Sequence, residues 1–419
     1  MLRSNNISRR YYSLHRRISS LTSLRKLVNL HPTCDLTEAQ WSSIEFQLSS
    51  MKSRLIARLT SGARKYMPEM SDPVAARQMN ALIGLLEIES SKAFTFYDTL
   101  FDILTQRNSK LGRIIPGCEK IASDALRRDH PFLRILNAPV LYFNRGYGAA
   151  ILREGVPLPY GIRNPISLMQ MPYSKFVSLS TLTSIAHEAG HDGMNKLGLE
   201  STFQMILRQS LKNAGASDTV TDLLSNAHTE IFADVWGTCL CGSAYLSVSR
   251  DLLSVPPNLA LAVNSNDPHP TPLVRLLLLF RLARQIWGSG AWNMWEDEVL
   301  DTYPLDRLHI GTREIIDEQI ALLSDVSSAI LETGLKVLGG KPITSLFDLD
   351  AISPQKLNKH VDSNGLIVIG GMRPCQQLSL FRSLLDRGKV REDILDRMIA
   401  KWLLYMAANK ELVRIRLLK

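Results

Sequence analysis

His187-Glu188-Ala189-Gly190-His191 sets two imidazoles four residues apart with a carboxylate between them. On an α-helix that spacing stacks the rings on one face with β-carbons about 5–6 Å apart, so both can reach one ion at about 2.0–2.1 Å. Glu188 then stands beside the ion, placed to take a proton from activated water and pass it to a leaving amine. The flanking residues favour a helix. Leu182, Ile185, Ala186 and Ala189 supply an apolar side, and Gly198 is a suitable C-terminal stop. The alternative for this stretch is an exposed amphipathic helix with two solvated histidines.

A third ligand separates the two. Glu230 and Asp234 lie four apart in Ser217 to Leu246, a segment that opens on the N-cap pair Ser217-Asp218 and keeps helical apolar spacing through Leu223, Leu224, Ala227, Ile231 and Val235. Both carboxylates face one way, and two unpaired acids on the inner side of so apolar a helix would be costly. A cation and an imidazole N–H would satisfy both. Glu230 is therefore assigned to the metal and Asp234 to the outer nitrogen of one metal-bound His. His228 is turned roughly 160° away on the same helix and is left out. The His187, His191, Glu230 set is of the gluzincin type, holding one zinc per chain with a fourth position open for water. A metzincin would need Gly and His where Met194 and Leu197 stand. Glu200 follows His191 too closely to fold back from a second helix.

His187 to His191, then Glu230-Ile231-Phe232-Ala233-Asp234, then His269-Pro270 with Arg275 six residues after the His, is similar to the HExxH, ExxAD and HPxxxxR series of the CAAX prenyl protease/HtpX-type metallopeptidases. The resemblance covers roughly residues 138–285. It implies that His269 helps to stabilise an oxyanion and that Arg275 braces the groups around the site. From the residues alone, His269 sits in a proline-framed turn, which suits either a positioned electrophile or a simple loop. Tyr160 and Tyr173 are further oxyanion candidates. Integral members of that family carry several membrane helices. Here no stretch reaches the roughly 18 uninterrupted apolar residues of a span, and Pro272 to Trp287 is broken by Arg275, Arg281 and Arg284.

The charge balance narrows the function classes. Of the net +9, seven positive charges and no acid lie in residues 1–34, so the rest of the chain is nearly neutral. A basic face spread along the fold, as a nucleic-acid enzyme needs, is missing. The leader reads as a mitochondrial-type transit segment, a basic arm or a solvated first helix. A cytoplasmic protein is expected, or a mitochondrial matrix protein if the leader is a transit segment. Five scattered cysteines do not make a disulfide framework, and Cys239 and Cys241 read as small core residues.

The periodicity predicts a mainly α fold with a small β-sheet (α+β) around a zincin-like core. Helices are expected at Thr37 to Leu59, Asp72 to Gln106 and Cys118 to Arg128. Ala138 to Phe143 and Tyr147 to Leu152 read as a hairpin about Asn144-Arg145-Gly146. Ile166 to Met171 reads as a third strand, bracketed by Pro165 and Pro172 as an edge strand would be. Through Ile166, Leu168 and Gln170 it would pair with an extended substrate. A short strand is expected at Leu366 to Ile369. Four regions result: a basic leader or arm (1–34), an N-terminal helical region (35–137), the metallopeptidase core (138–288) and a C-terminal helical region (289–419). The expected activity is zinc-dependent hydrolysis of a peptide or protein substrate. The competing reading is a regulatory scaffold with a structural metal, for which Glu188 would have no use.

Overall fold

The computed structural model describes residues 2–134, 138–146, 150–157, 163–176, 178–265, 267–362, 366–410 and 413–416. It is mainly helical with small β elements. No helix among the described residues is long and apolar enough to cross a membrane. The chain divides into two compact units.

The first unit comprises residues 1–115, 139–143 and 152–170. Its frame is a pair of long helices, Glu38–Tyr66 and Pro73–Thr105, joined by a short 3-10 turn. Both starts are capped. Thr37 and Gln40 form a capping box, and Asp72 accepts from the Val74 and Ala75 amides ahead of Pro73. Residues 1–34 do not form a dangling arm. Leu2–Ser19 is a helix packed on both long helices, with Leu14 and Ile18 fully buried, as is Leu24 in the short helix Leu24–Val28 that follows. Arg9, Arg16 and Arg17 are exposed, and the half-buried Arg10 pairs with Glu87 at 2.6 Å.

Three strands, β1 (Val140–Asn144), β2 (Ala150–Leu152) and β3 (Leu168–Pro172), make a sheet in the order β1-β3-β2. Two expectations fail here. β1 and β2 do not form a hairpin, because β3 lies between them. β3 is consequently not an edge strand: it has a strand neighbour on each side, which removes the ground for pairing with a substrate strand. Ile166 and Leu168 are buried, and Gln170 accepts from the Tyr142 hydroxyl at 3.1 Å. Pro172 is tolerated because it stands at the strand's end.

The second unit comprises residues 116–138, 144–151 and 171–419, so the expected core and C-terminal regions are one body, which also takes in residues 116–138. The expected single segment Ser217 to Leu246 is three helices: Asp218–Asn226, His228–Cys241 and Ser243–Leu253. The chain breaks at Ala227 and again at Gly242, whose φ of 54° is open to glycine at little cost. The core is built on Phe203, Phe232, Trp236, Phe280, Phe381 and Trp402. All five cysteines are buried and free. β4 (Leu366–Val368), expected from the sequence, pairs antiparallel with β5 (Arg414–Arg416), which was not.

Candidate metal centre

The helix Ser184–Leu197 ends on Gly198 in the left-handed conformation, φ 63°, as its sequence requires. It lies against His228–Cys241 with almost no room to spare. A β-carbon on Gly190 would fall 2.7 Å from the Ala233 Cα, and one on Gly193 would meet the Trp236 ring at 2.8 Å. The missing side chains let the two backbones approach, bringing His187, His191 and Glu230 to one point.

At that point the two imidazoles and both oxygens of one carboxylate converge. The Nε2 atoms of His187 and His191 are 3.3 Å apart; His187 Nε2 is 3.3 Å from Glu230 Oε2, and His191 Nε2 is 3.3 Å from Glu230 Oε1. Donors about 2.0–2.1 Å from a tetrahedral zinc are separated by roughly 3.3–3.4 Å, the edge of that tetrahedron. The two carboxylate contacts fall on different oxygens, so it is the donor types and their closeness that suit a zinc ion, and this is the one group of three or more potential ligands found among the described residues. His228 is elsewhere, bonded through Nδ1 to the Ser225 carbonyl oxygen at 3.0 Å.

Behind this cluster the charges are tightly braced. Asp234 Oδ1 lies 3.1 Å from His187 Nδ1; a carboxylate partner there favours the tautomer with the proton on Nδ1, which turns the Nε2 lone pair toward His191 and Glu230. Arg275, one turn into the helix Pro272–Trp287, grips Asp234 with two bonds, Nε to Oδ2 at 2.7 Å and Nη2 to Oδ1 at 2.8 Å. The Tyr245 hydroxyl donates to Asp234 Oδ1 at 2.6 Å. The route to Tyr245 is visible in two glycines. The turn at Gly242 sends the chain back, and Gly237 leaves space for the ring, since a β-carbon there would lie 2.7 Å from Tyr245 Cε2.

Burial and charge act against each other in this site. Burial raises the pKa of Asp234, but Arg275 and His187 outweigh it and hold the carboxyl well below the usual range. Glu230 is likewise lowered despite burial, by its bonds to His187 and His191. Burial disfavours protonated His187, yet its bonds to Asp234 and Glu230 carry it up to about 9. The field thus favours positive charge at the imidazole, as a proton or as a metal cation on the neutral ring. Glu188 is outside the cluster, 5% exposed, and pushed upward by burial, which suits a group that must accept a proton.

Comparison of the chain with family models, curated proteins and solved structures finds no match.

His269 reaches the rim, its Nε2 3.4 Å from Glu230 Oε2 and its Nδ1 2.6 Å from Asp267, with the side chain 52% exposed. Tyr173 is exposed and does not line the site, and Tyr160 is outside the described residues. Two residues beside the cluster escaped sequence reading: Tyr245, which the glycines at 237 and 242 could have signalled, and Lys175, for which the sequence holds no signal.

Proposed function

We propose that this chain is a zinc-dependent metallopeptidase of the gluzincin type, with His187, His191 and Glu230 as ligands and Glu188 as general base. The observation that carries the reading is the convergence of His187, His191 and Glu230 through 3.3 Å contacts, with the buried carboxylate of Glu188 next to His187 in sequence. A purely structural zinc site usually closes with a fourth protein ligand, whereas this set offers three. A zinc ion held there supplies Lewis acidity, polarising a carbonyl and acidifying water. Glu188 takes the proton of the attacking water and delivers it to the leaving nitrogen. His269, at the exposed rim, is the group available to donate to the developing oxyanion. Arg275 and Tyr245 act through Asp234, holding His187 in the tautomer that presents Nε2. Zincin-like organisation and kinship with the CAAX prenyl protease/HtpX-type enzymes belong to the same proposal, supported by the order of HExxH, ExxAD and HP motifs.

The test is metal analysis of the purified protein followed by cleavage of a peptide library. About one equivalent of zinc is expected, lost in His187→Ala and Glu230→Ala. Glu188→Gln should keep the metal and lower hydrolysis by several orders of magnitude, since an amide cannot accept the proton. Full zinc occupancy in both ligand variants, or unchanged turnover in Glu188→Gln, would refute the assignment.

A further inference from the structure

Beside the cluster is a cavity of about 170 Å³, whose lining includes Glu188 and Arg275 together with the apolar side chains of Val248, Leu252 and Leu253. Lys175, in the 3-10 turn Tyr173–Phe176, lines it too and is only 4% exposed. It makes no hydrogen bond or ion pair with any described residue. Nor is its Nζ among the sealed, partnerless polar atoms, so the ammonium keeps access to the space it lines. Arg275, the other cation of the cavity, is committed to Asp234.

A buried cation without a directly paired counter-charge is costly, and such a group is retained where a ligand completes the pair. The nearby Glu188 favours the charged lysine, but burial dominates and draws its pKa down to about 8, which still leaves it mostly protonated at pH 7. We propose that Lys175 is the cavity's receptor for a carboxylate of the substrate. A phosphate suits the site less well, because Lys175 is the one uncommitted lysine or arginine of the lining while Glu188 and Glu230 also line it, and a dianion would meet their repulsion. The volume, below the roughly 300–1,000 Å³ of sites for drug-sized ligands, leaves room for something on the order of one residue. The apolar wall suits that residue's side chain. The carboxylate is assigned to a substrate on the strength of the metallopeptidase reading; the binding itself does not depend on turnover.

The full-length protein as purified is titrated calorimetrically at pH 7 with N-acetyl-leucine, N-acetyl-leucinamide and N-acetyl-glutamic acid α-amide. Wild type should bind at least one carboxylate probe ten-fold or more tighter than leucinamide, and the tighter of the two acids tells whether the chain terminus or an acidic side chain is read. Lys175→Arg should keep the preference, and Lys175→Met should reduce it to within two-fold. A carboxylate seated directly on the metal would keep its preference in Lys175→Met, and that result overturns the proposal, as does equal binding of acids and amide by wild type. Circular dichroism checks the folding of the variants. If Lys175→Met does not fold, chemical acetylation of wild type decides: mass spectrometry should show Lys175 protected by the acid and not by the amide, and equal labelling overturns the proposal. Because no readout is hydrolysis, failure of the peptidase reading and failure of this one leave different results.

Discussion

Two helix pairs, one in each unit, are packed by the same device and put it to opposite use. In the first unit, Glu38–Tyr66 and Pro73–Thr105 meet through an apolar ladder that includes Ile44, Leu48, Met51, Leu55 and Leu59 on one side and Met79, Ile83 and Leu86 on the other. Their charges stay outside, as in the ion pair of Arg58 with Glu89. In the second, Ser184–Leu197 and His228–Cys241 also bury most of their length, yet among the buried side chains are Glu188, Glu230 and Asp234. Each pair has a glycine at a close approach. A methyl on Gly62 would meet the tip of the Leu82 side chain, whereas one on Gly190 would meet the backbone of Ala233. Close packing alone therefore does not mark a functional site. Close packing around unscreened charge does, because ordinary core energetics would remove it.

The largest effect is expected where that charge is unbalanced. Arg275→Leu strips Asp234 of its two-bond partner inside the second unit and should lower stability by about 3–5 kcal/mol. Urea denaturation measures this, and a loss below 1 kcal/mol would mean that the brace is not buried in solution. Next comes Gly190→Ala, where the neighbour is backbone and cannot swing aside. About 1–3 kcal/mol of destabilisation is expected, together with reduced zinc content by elemental analysis. Normal zinc occupancy in that variant would contradict the close approach.

Asp234→Asn separates the outer carboxylate from the ligand. The amide oxygen can still accept a hydrogen bond from the imidazole N–H but lacks the charge that raises the ring's basicity. Zinc should bind roughly 10–100-fold more weakly by chelator competition at fixed pH, and Glu230→Gln should bind it more weakly still. A reversed order would exchange the roles of the two acids. The smallest change is expected for Gly62→Ala, within about 1 kcal/mol of wild type. There the gain in helix propensity offsets the displacement of a flexible leucine tip. A loss comparable to that of Gly190→Ala would erase the contrast between the two helix pairs.

Much of the site was legible in the sequence because it depends on helical period. His187, His191, Glu230 and Asp234 each lie one helical turn from a partner, and Gly198 ends the first helix where expected. Residues were misread where tertiary folding decides. Glycine at 242 adopts a backbone that breaks an otherwise continuous apolar pattern, so one expected helix became two there. The order β1-β3-β2 cannot be inferred from neighbouring strands, because sequence adjacency suggests the hairpin that β3 displaces. Nothing near Lys175 marks it, since its burial is produced by residues distant in the chain.

The proposed ligand set also spans sequence: His191 and Glu230 are separated by a run of chain that includes Glu200–Asn213 and Asp218–Asn226. An ion held by both ends acts as a removable crosslink closing a loop of about forty residues, and loop-closure entropy grows with the logarithm of that length. Zinc bound to the native state alone would then raise its stability by mass action, with the intervening helices opening together on release of the metal. In proteolysis with and without chelator, cuts within residues 192–229 should accelerate when zinc is withdrawn, while those in the helices Glu38–Tyr66 and Pro73–Thr105 keep their rate. Metal supply would set the lifetime of this segment in a protease-rich setting.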